Sequence, residues 1–238
     1  MIRQNLKSLW DNYARTGYAN IYLVPVQRHH RDKLGELFLC SSDGTYLDAG
    51  CGTGNMFELA VRKIQPEELH GVDWSEEMLE KAQLEARRLE GLSETRFRLY
   101  FTDLTKPWPW PDNSFHGAIA NLLICYLTCG WKHPLEELSR VIRPGGYLHL
   151  GTLLKEWGFT SVLWKHAPQE FVRDPVSNFR GLKYRRIVSR ISREAKTCGA
   201  EFPSRQELMD FMAHLGFDEI EIIPTYWGGG VALRARVG

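Results

Sequence analysis

The sequence lacks the cysteine patterns of disulfide-rich and zinc-binding proteins. Its five cysteines are odd in number and form no C-x-x-C pair: Cys40, Cys51, Cys125, Cys129 and Cys198. A disulfide framework is therefore not predicted, and a reduced, cytoplasmic environment is favoured. Cys125 and Cys129 are four residues apart, but no His/Cys pair at zinc spacing accompanies them, so we predict free thiols and no metal.

Long apolar runs and a strong net charge are also missing. No run approaches the roughly 18 apolar residues of a membrane span, and residues 1–7 lack the apolar centre of a signal peptide. The formal net charge of the 238 residues is only +1, so the whole molecule is not attracted to polyanions. With 43% hydrophobic residues, the chain can bury the core of one large α/β domain.

The phosphate-binding motifs of nucleotide-binding proteins are absent from the most informative stretch, residues 46–55. This stretch begins as a short strand, passes through a glycine turn and leads into an amphipathic helix. A dinucleotide G-x-G-x-x-G motif requires glycine where Asn55 or Phe57 stands, and the Gly-Lys-Ser/Thr of a P-loop does not occur. The turn has instead one acidic residue and three alternating glycines: Asp48, Gly50, Gly52 and Gly54.

This turn resembles the first motif of the class I S-adenosylmethionine (SAM) dependent methyltransferases. Glycines let the backbone approach a ligand, and the helix end offers free N–H groups. SAM carries no phosphate, and an acidic residue at the start of the turn suits the ammonium group of its amino-acid tail. The resemblance implies that the cofactor is bound here by Asp48, Gly50, Cys51, Gly52, Gly54 and Asn55.

A second acidic residue, Asp73, follows the next predicted strand, 23 positions after Gly50. An acidic residue about 20 positions on is where a ribose diol is held in related folds. Residues 71–79 are similar to the second signature of the family, and Ser75 resembles a helix cap. By that resemblance Asp73 binds the ribose, Trp74 lies beside the adenine, and Met78 is a further cofactor-binding residue. A surface aromatic is the alternative interpretation of Trp74.

Two further strand ends complete the expected cofactor site. Asp103 and Leu104 follow the strand over residues 97–101 and resemble the adenine clamp of the family, although Asp103 could instead cap its loop. The strand over residues 116–121 ends at Asn121, and this region resembles the ubiquinone- and menaquinone-type methyltransferases. Relatives often carry a histidine at the position of Cys125, followed by a second ring-bearing residue. Here Tyr126 keeps the ring, but cysteine replaces the histidine, so we do not assign a general-base role to Cys125.

Aromatic side chains near the N-terminus suggest a cap over the site. The resemblance implies that Tyr13 or Tyr18 faces the cofactor or substrate, because aromatic rings suit a sulfonium cation; packing on the core is the alternative. Proton transfer is needed only if the acceptor must lose a proton. The candidates, none of them supported by a motif, are Tyr126, His149, His166 and Tyr184.

Five strands alternating with helices, followed by two further strands, predict a doubly wound, seven-stranded, mostly parallel sheet with an antiparallel edge. This is the Rossmann-like methyltransferase fold, with an N-terminal helical cap and an insertion after strand five. We expect one domain over residues 1–238. Its parts are a cap (1–40), a SAM-binding core (45–153), a substrate-side insertion (154–202), and a terminal helix with a β-hairpin (203–238).

The predicted reaction is methyl transfer from SAM to a small, aromatic or amphipathic acceptor, with S-adenosylhomocysteine as product. Residues 154–202 contain ten lysines and arginines against five acidic residues, so an acidic acceptor, an anionic surface and a merely solvated face all remain open. One alternative is an RNA or protein methyltransferase that uses this insert, although the Asn/Asp-Pro-Pro-Tyr motif of nucleobase amine methylation is absent. Another is a non-catalytic SAM-binding regulatory partner. The sequence fixes neither the acceptor atom nor the oligomeric state.

Overall fold

A computed structural model of the chain describes residues 2–16, 22, 24–39, 44–155, 190 and 192–238. Seven strands form one sheet in the order β3-β2-β1-β4-β5-β7-β6. They are β1 (Thr45–Ala49), β2 (Glu68–Asp73), β3 (Arg96–Phe101), β4 (Phe115–Asn121), β5 (Ile142–Leu153), β6 (Phe217–Thr225) and β7 (Gly230–Val237). The first five strands pair in parallel. Because β7 pairs antiparallel with both β5 and β6, the predicted mostly parallel sheet with an antiparallel edge is confirmed.

Residues 192–197 are helical, and six further helices surround this sheet in the described part of the chain. They are α1 (Ile2–Thr16), α2 (Pro25–Glu36), α3 (Phe57–Lys63), α4 (Glu76–Glu90), α5 (Lys132–Val141) and α6 (Arg205–His214). The second begins at Pro25, because proline suits the first helical turn. Two starts are fixed by caps: Ser75 accepts from the N–H of Met78, and Ser204 forms a capping box with Glu207.

The two faces of the sheet are covered by different helices. Buried residues of α5 and α6 pack with Leu47, Ala118 and Leu148 on one face. The other face carries Ile119 and is covered by buried residues of α2, α3 and α4. The central strands are thus apolar on both sides, as parallel strands between helical layers require.

The chain order places several strand ends at one edge of the sheet. Strand β1 lies between β2 and β4, and this reversal of strand order is where ligands bind in open α/β sheets. Because β1 to β4 run in the same direction, their carboxyl ends meet at this edge. Asp48, Asp73 and Asn121 lie at those ends, and Asp103 follows β3 by two residues.

The predicted cap and insertion differ in how far the structure describes them. Helix α1 packs on α4, with ion pairs between Lys7 and Glu76 (3.8 Å) and between Arg15 and Glu77 (3.3 Å). Of the insertion over residues 154–202, the stretch 156–189 lies outside the described residues, and so do His166 and Tyr184. In the part that is described, no helix combines the length and apolarity of a membrane span.

One glycine in the sheet core generates a prediction for stability. A Cβ on Gly117 would lie 2.4 Å from Tyr46 Cε1 and 2.7 Å from the Tyr147 carbonyl oxygen. Because the backbone of β5 cannot retreat without breaking its pairing, we expect Gly117→Ala to lower the free energy of unfolding by about 1–3 kcal/mol. Urea denaturation measures this difference.

The matched control is Gly91→Ala at the end of α4. Gly91 has φ −75°, and a Cβ there would meet its nearest atom at an ordinary 3.6 Å. Its stability should be unchanged or raised by up to about 1 kcal/mol, because alanine restricts the unfolded chain. Equal effects of the two substitutions would contradict the packing of β4 described above.

Candidate functional site

A cleft opens at the carboxyl edge of β1, β2 and β4 and has two connected compartments. The larger has a volume of about 630 Å³ and the smaller about 340 Å³, each including the open space at its mouth. Both are lined by Gly50, Gly52, Asn121 and Leu122. The larger adds Trp10, Asp73, Trp74, Met78, Asp103, Leu104, Leu123, Tyr126 and Leu127; the smaller adds Tyr22, Asp48, Cys51, Asn55 and Met56.

The glycine turn between β1 and α3 brings the backbone to the cleft. Gly50 has φ +71°, a left-handed conformation that favours glycine, and a Cβ there would also displace the Leu123 side chain, whose Cδ1 would lie 2.7 Å away. The turn is anchored to β2 because the N–H of Cys51 donates to the Val72 carbonyl (2.9 Å). Gly54 is left-handed as well, with φ +78°, and a Cβ there would meet the Phe57 ring at 2.8 Å.

Asp48 places a buried carboxylate in the smaller compartment. Its side chain is 1% exposed, and its Oδ2 atom has no hydrogen-bond partner among the described residues. Burial, together with the smaller effect of the nearby Asp73 carboxylate, raises the pKa of Asp48 to about 8. A buried polar atom without a partner is unfavourable, and this one fits the cationic ammonium group of a ligand.

Asp73 connects three elements around the larger compartment. Its Oδ2 accepts from the N–H of Gly52 (3.0 Å) in the glycine turn. Its Oδ1 accepts from the N–H of Ser75 (2.9 Å), the residue that caps α4. Burial raises the pKa of Asp73 to about 6 although these N–H groups oppose the shift. Each oxygen keeps a lone pair for a ligand hydroxyl.

Asp103 both caps a loop and lines the cleft, so the two interpretations of its role are compatible. Its Oδ1 accepts from the N–H (3.0 Å) and hydroxyl (2.6 Å) of Thr105. The next residue, Leu104, is buried and also lines the larger compartment. Trp74 and Met78 lie on the same wall.

Asn121 lies where the two compartments join, and it contacts a residue that sequence reasoning missed. Its Nδ2 donates to the Tyr22 hydroxyl (3.2 Å) and lies 3.5 Å from Met56 Sδ. The family resemblance predicts instead that Tyr13 or Tyr18 faces the cofactor or substrate. Tyr13 does not line the cleft, and Tyr18 lies outside the described residues. No local signal marks Tyr22, because its partner is 99 positions away.

Trp10 covers the larger compartment from α1; it belongs to the aromatic N-terminal segment, although the residues predicted to face the ligand are Tyr13 and Tyr18. Its ring meets Tyr126 edge-on, with centroids 5.5 Å apart, and Tyr13 supports it from behind at 6.2 Å. Helix α1 is held in this position because Ser75 Oγ donates to Asp11 Oδ1 (2.6 Å). The cap thus contacts the residue that begins α4.

The proton-transfer candidates are not brought together. Tyr126 lines the cleft, but burial raises the pKa of its hydroxyl further above neutral pH. His149 is fully buried in β5, 4.7 Å from the Phe38 ring, on the face that carries α2, so it lies away from the cleft. His166 and Tyr184 lie outside the described residues. Within the described ranges no group of three side chains has metal-binding geometry.

Comparisons with known proteins agree with this geometry. Residues 47–146 match the family model described as "Methyltransferase domain". The biotin biosynthesis bifunctional protein BioHC of Teredinibacter turnerae is 34% identical over 64% of this chain and 27% of its own length. Demethylmenaquinone methyltransferase of Oceanobacillus iheyensis is 25% identical over 91% of both chains.

A solved SAM-dependent methyltransferase from Thermotoga maritima superimposes with a TM-score of 0.61 and 19% identity, covering 98% of this chain and 100% of that one. Residues 47–146 thus match a methyltransferase domain, and the fold is that of a solved SAM-dependent methyltransferase. These matches support the class I SAM-dependent methyltransferase family, with SAM as cofactor, which the sequence motifs predicted. Because the chain spans little more than a quarter of the BioHC protein, its acceptor is taken up below as a proposal.

The buried Asp48 carboxyl generates a prediction for stability against pH. Its pKa is about 8 in the folded chain and about 3.9 in an unfolded one. Between these values the folded state holds the proton more tightly, so its contribution to stability is lost as pH rises from about 4 to 8. Asp48→Asn carries no such proton. We expect the variant to gain stability relative to wild type over this range, as measured by urea denaturation at pH 5, 6.5 and 8.

The control for this series is Asp112→Asn, whose side chain is 71% exposed. Its difference from wild type should stay constant across the three pH values. A constant difference for Asp48→Asn as well would show that the Asp48 carboxyl is ionised in the folded protein at pH 5.

Proposed function

We propose that this protein transfers the methyl group of SAM to a small aromatic or amphipathic acceptor. The observation that carries the proposal is the unpartnered, buried carboxylate oxygen of Asp48 in the smaller compartment. It lies in a cleft whose other compartment holds Asp73 and Asp103. This distribution of acidic groups suits a phosphate-free nucleoside that carries an amino-acid tail.

Each part of the cofactor has a matching group in this arrangement. Asp48 receives the ammonium of the amino-acid tail, because an opposite charge stabilises its ionised form. Asp73 accepts from the ribose hydroxyls with the lone pairs that the backbone N–H groups leave unused. Asp103 and the Leu104 backbone N–H face the adenine edge, and Trp74 flanks the ring. The cofactor, when bound, supplies a methyl group already activated by a sulfonium.

The remaining wall of the larger compartment supports the choice of acceptor. It consists of two aromatic and three aliphatic side chains: Trp10, Tyr126, Leu122, Leu123 and Leu127. Such a wall aligns an apolar acceptor and excludes water from the attacking atom. No described residue at this wall is a base at neutral pH, so the favoured acceptors are those that need no strong base. The basic residues of 154–202 are the reason to include acidic molecules among them.

Cofactor binding is tested with Asp73→Ala and calorimetry. We expect wild type to bind SAM and the variant to bind about a hundredfold more weakly, which corresponds to about 2.7 kcal/mol, because ribose contacts and the anchored Gly52 N–H are both lost. Asp73→Asn, with one acceptor oxygen retained, should fall between them. Asp112→Ala, on an exposed loop, should bind within twofold of wild type. Unchanged binding by Asp73→Ala would refute the assignment of the ribose site.

The acceptor class is tested by transfer of labelled methyl groups. The panel contains small aromatic and amphipathic molecules, acidic ones among them, together with total RNA and a protein extract. We expect label in small molecules. Label in RNA, with affinity falling steeply as salt rises, would favour the insert-based alternative. SAM binding without turnover, in a stable complex with another protein, would favour a regulatory partner.

A matched pair of variants at Tyr126 links the acceptor to the aromatic wall. Tyr126→Phe should keep kcat and the acceptor KM within about threefold, because the Tyr126 hydroxyl contacts Ser192 (3.4 Å), a residue that does not line the cleft. Tyr126→Ala removes the ring and should raise the acceptor KM about tenfold, equivalent to about 1.4 kcal/mol. A large loss of kcat in Tyr126→Phe would show instead that the hydroxyl takes part in the reaction.

A further inference from the structure

A buried series of hydrogen bonds runs from the cleft into the protein through His30 of α2. The ring Nε2 of His30 is 3.1 Å from Asn121 Oδ1, and its Nδ1 is 2.9 Å from the Thr225 hydroxyl. His30 itself is fully buried and is not among the residues that line the cleft. We infer that His30 is a positioning residue that holds the Asn121 carboxamide with its N–H donors directed into the cleft. This inference rests on the proposed function.

The orientation of the amide follows from what its two ends touch. One end lies 3.2 Å from the Tyr22 hydroxyl and 3.5 Å from Met56 Sδ. A thioether sulfur only accepts hydrogen bonds, so the end that faces it is the NH₂ group. The carbonyl oxygen of Asn121 then faces His30 and needs a donor there.

The tautomer of His30 is fixed by the same argument. A neutral imidazole has one donor and one acceptor nitrogen. Since Asn121 Oδ1 requires a donor, Nε2 carries the proton and Nδ1 accepts from the Thr225 hydroxyl. Burial lowers the pKa of His30 to about 3, so the ring stays neutral at physiological pH. Thr225, at the end of β6, thereby sets the hydrogen-bond direction at the cleft.

The backbone next to the Asn121–His30–Thr225 hydrogen bonds has conformations and spacing that these contacts require. A Cβ on Gly151 would lie 2.5 Å from Asn121 Oδ1 and 2.7 Å from His30 Nε2, so only glycine admits the contact. Leu122 follows Asn121 with φ +58°, and Tyr226 follows Thr225 with φ +48°. Left-handed backbone is unfavourable for side chains of this size and persists where the surroundings impose it.

Tyr226 supports the His30 ring from the side. The two ring centroids are 4.8 Å apart, and the Tyr226 hydroxyl donates to Gln27 Oε1 (2.7 Å) in α2. The imidazole is therefore held by a hydrogen bond at each nitrogen and by a ring against its face. A carboxamide without this support could rotate by 180° and present its oxygen to the cleft. A ligand atom that accepts hydrogen bonds would then lose its donor.

The first test reads the His30 tautomer directly and needs no ligand. Nitrogen-15 NMR of labelled protein should show Nε2 protonated and Nδ1 unprotonated, with no titration of this ring above pH 5. Assignment uses the loss of its signals in His30→Phe. A ring protonated on Nδ1 would overturn the inference, because Nε2 would then accept from an amide turned the other way.

The second test measures coupling between His30 and Asn121 by SAM calorimetry. We expect His30→Phe and Asn121→Ala each to weaken binding about tenfold, and the double variant to be no more than about threefold worse than either. Independent effects that multiply to about a hundredfold would overturn the inference. His149→Phe is the matched control, since His149 is equally buried and neither ring nitrogen has a hydrogen-bond partner among the described residues. It should bind SAM within twofold of wild type.

A pair of variants at Thr225 covers the case in which His30→Phe does not fold. Thr225→Ser keeps the hydroxyl and should retain both the tautomer and the affinity. Thr225→Val keeps the shape, removes the donor and should lose affinity by at least threefold. Equal affinities in this pair would contradict the proposed role of Thr225. If wild type binds no SAM, the proposed function fails, whereas the NMR result still decides the tautomer.

Discussion

The arrangement of the cleft depends on the two backbone hydrogen bonds accepted by Asp73. One carboxylate holds the N–H of Gly52 and the N–H of Ser75, so the glycine turn after β1 and the start of α4 are fixed relative to the end of β2. Charge-assisted bonds of this kind are stronger than neutral ones. The position of the turn in turn sets the depth of the smaller compartment, in which Asp48 lies. The Asp73 side chain thus connects three elements: the glycine turn after β1, the end of β2 and the start of α4.

Much of the cleft could be predicted because parallel strands impose their own geometry. Once residues 46–55, 71–79 and 97–104 were identified as strand ends, Asp48, Asp73 and Asp103 had to lie at one edge of the sheet. The alternation of side chains along β5 could not be assigned in the same way. His149 points to the face that carries α2, whereas its neighbours Leu148 and Leu150 point to the other face, and a one-residue difference decides between the two.

The contacts that the sequence did not predict all join distant parts of the chain. Tyr22 meets Asn121 across 99 positions, and His30 meets Thr225 across 195. Both depend on the path of residues outside the sheet, for which periodicity gives a helix but not its placement. Their one local sign is the left-handed backbone at Leu122 and Tyr226. Backbone angles cannot be read from the sequence, so this sign is visible only in the structure.

Trp10 of α1 covers the larger compartment, and this bears on how molecules enter and leave it. A molecule leaving the larger compartment on this side passes the indole, so a movement of α1 away from α4 would widen this exit. That movement is resisted by the Asp11–Ser75 hydrogen bond, by two partly exposed ion pairs and by the buried packing of Leu9, Tyr13 and Ala14 in one cluster with Met78. Because exposed ion pairs hold elements together only weakly, the apolar packing and the hydrogen bond set how far closure of the cleft slows exchange.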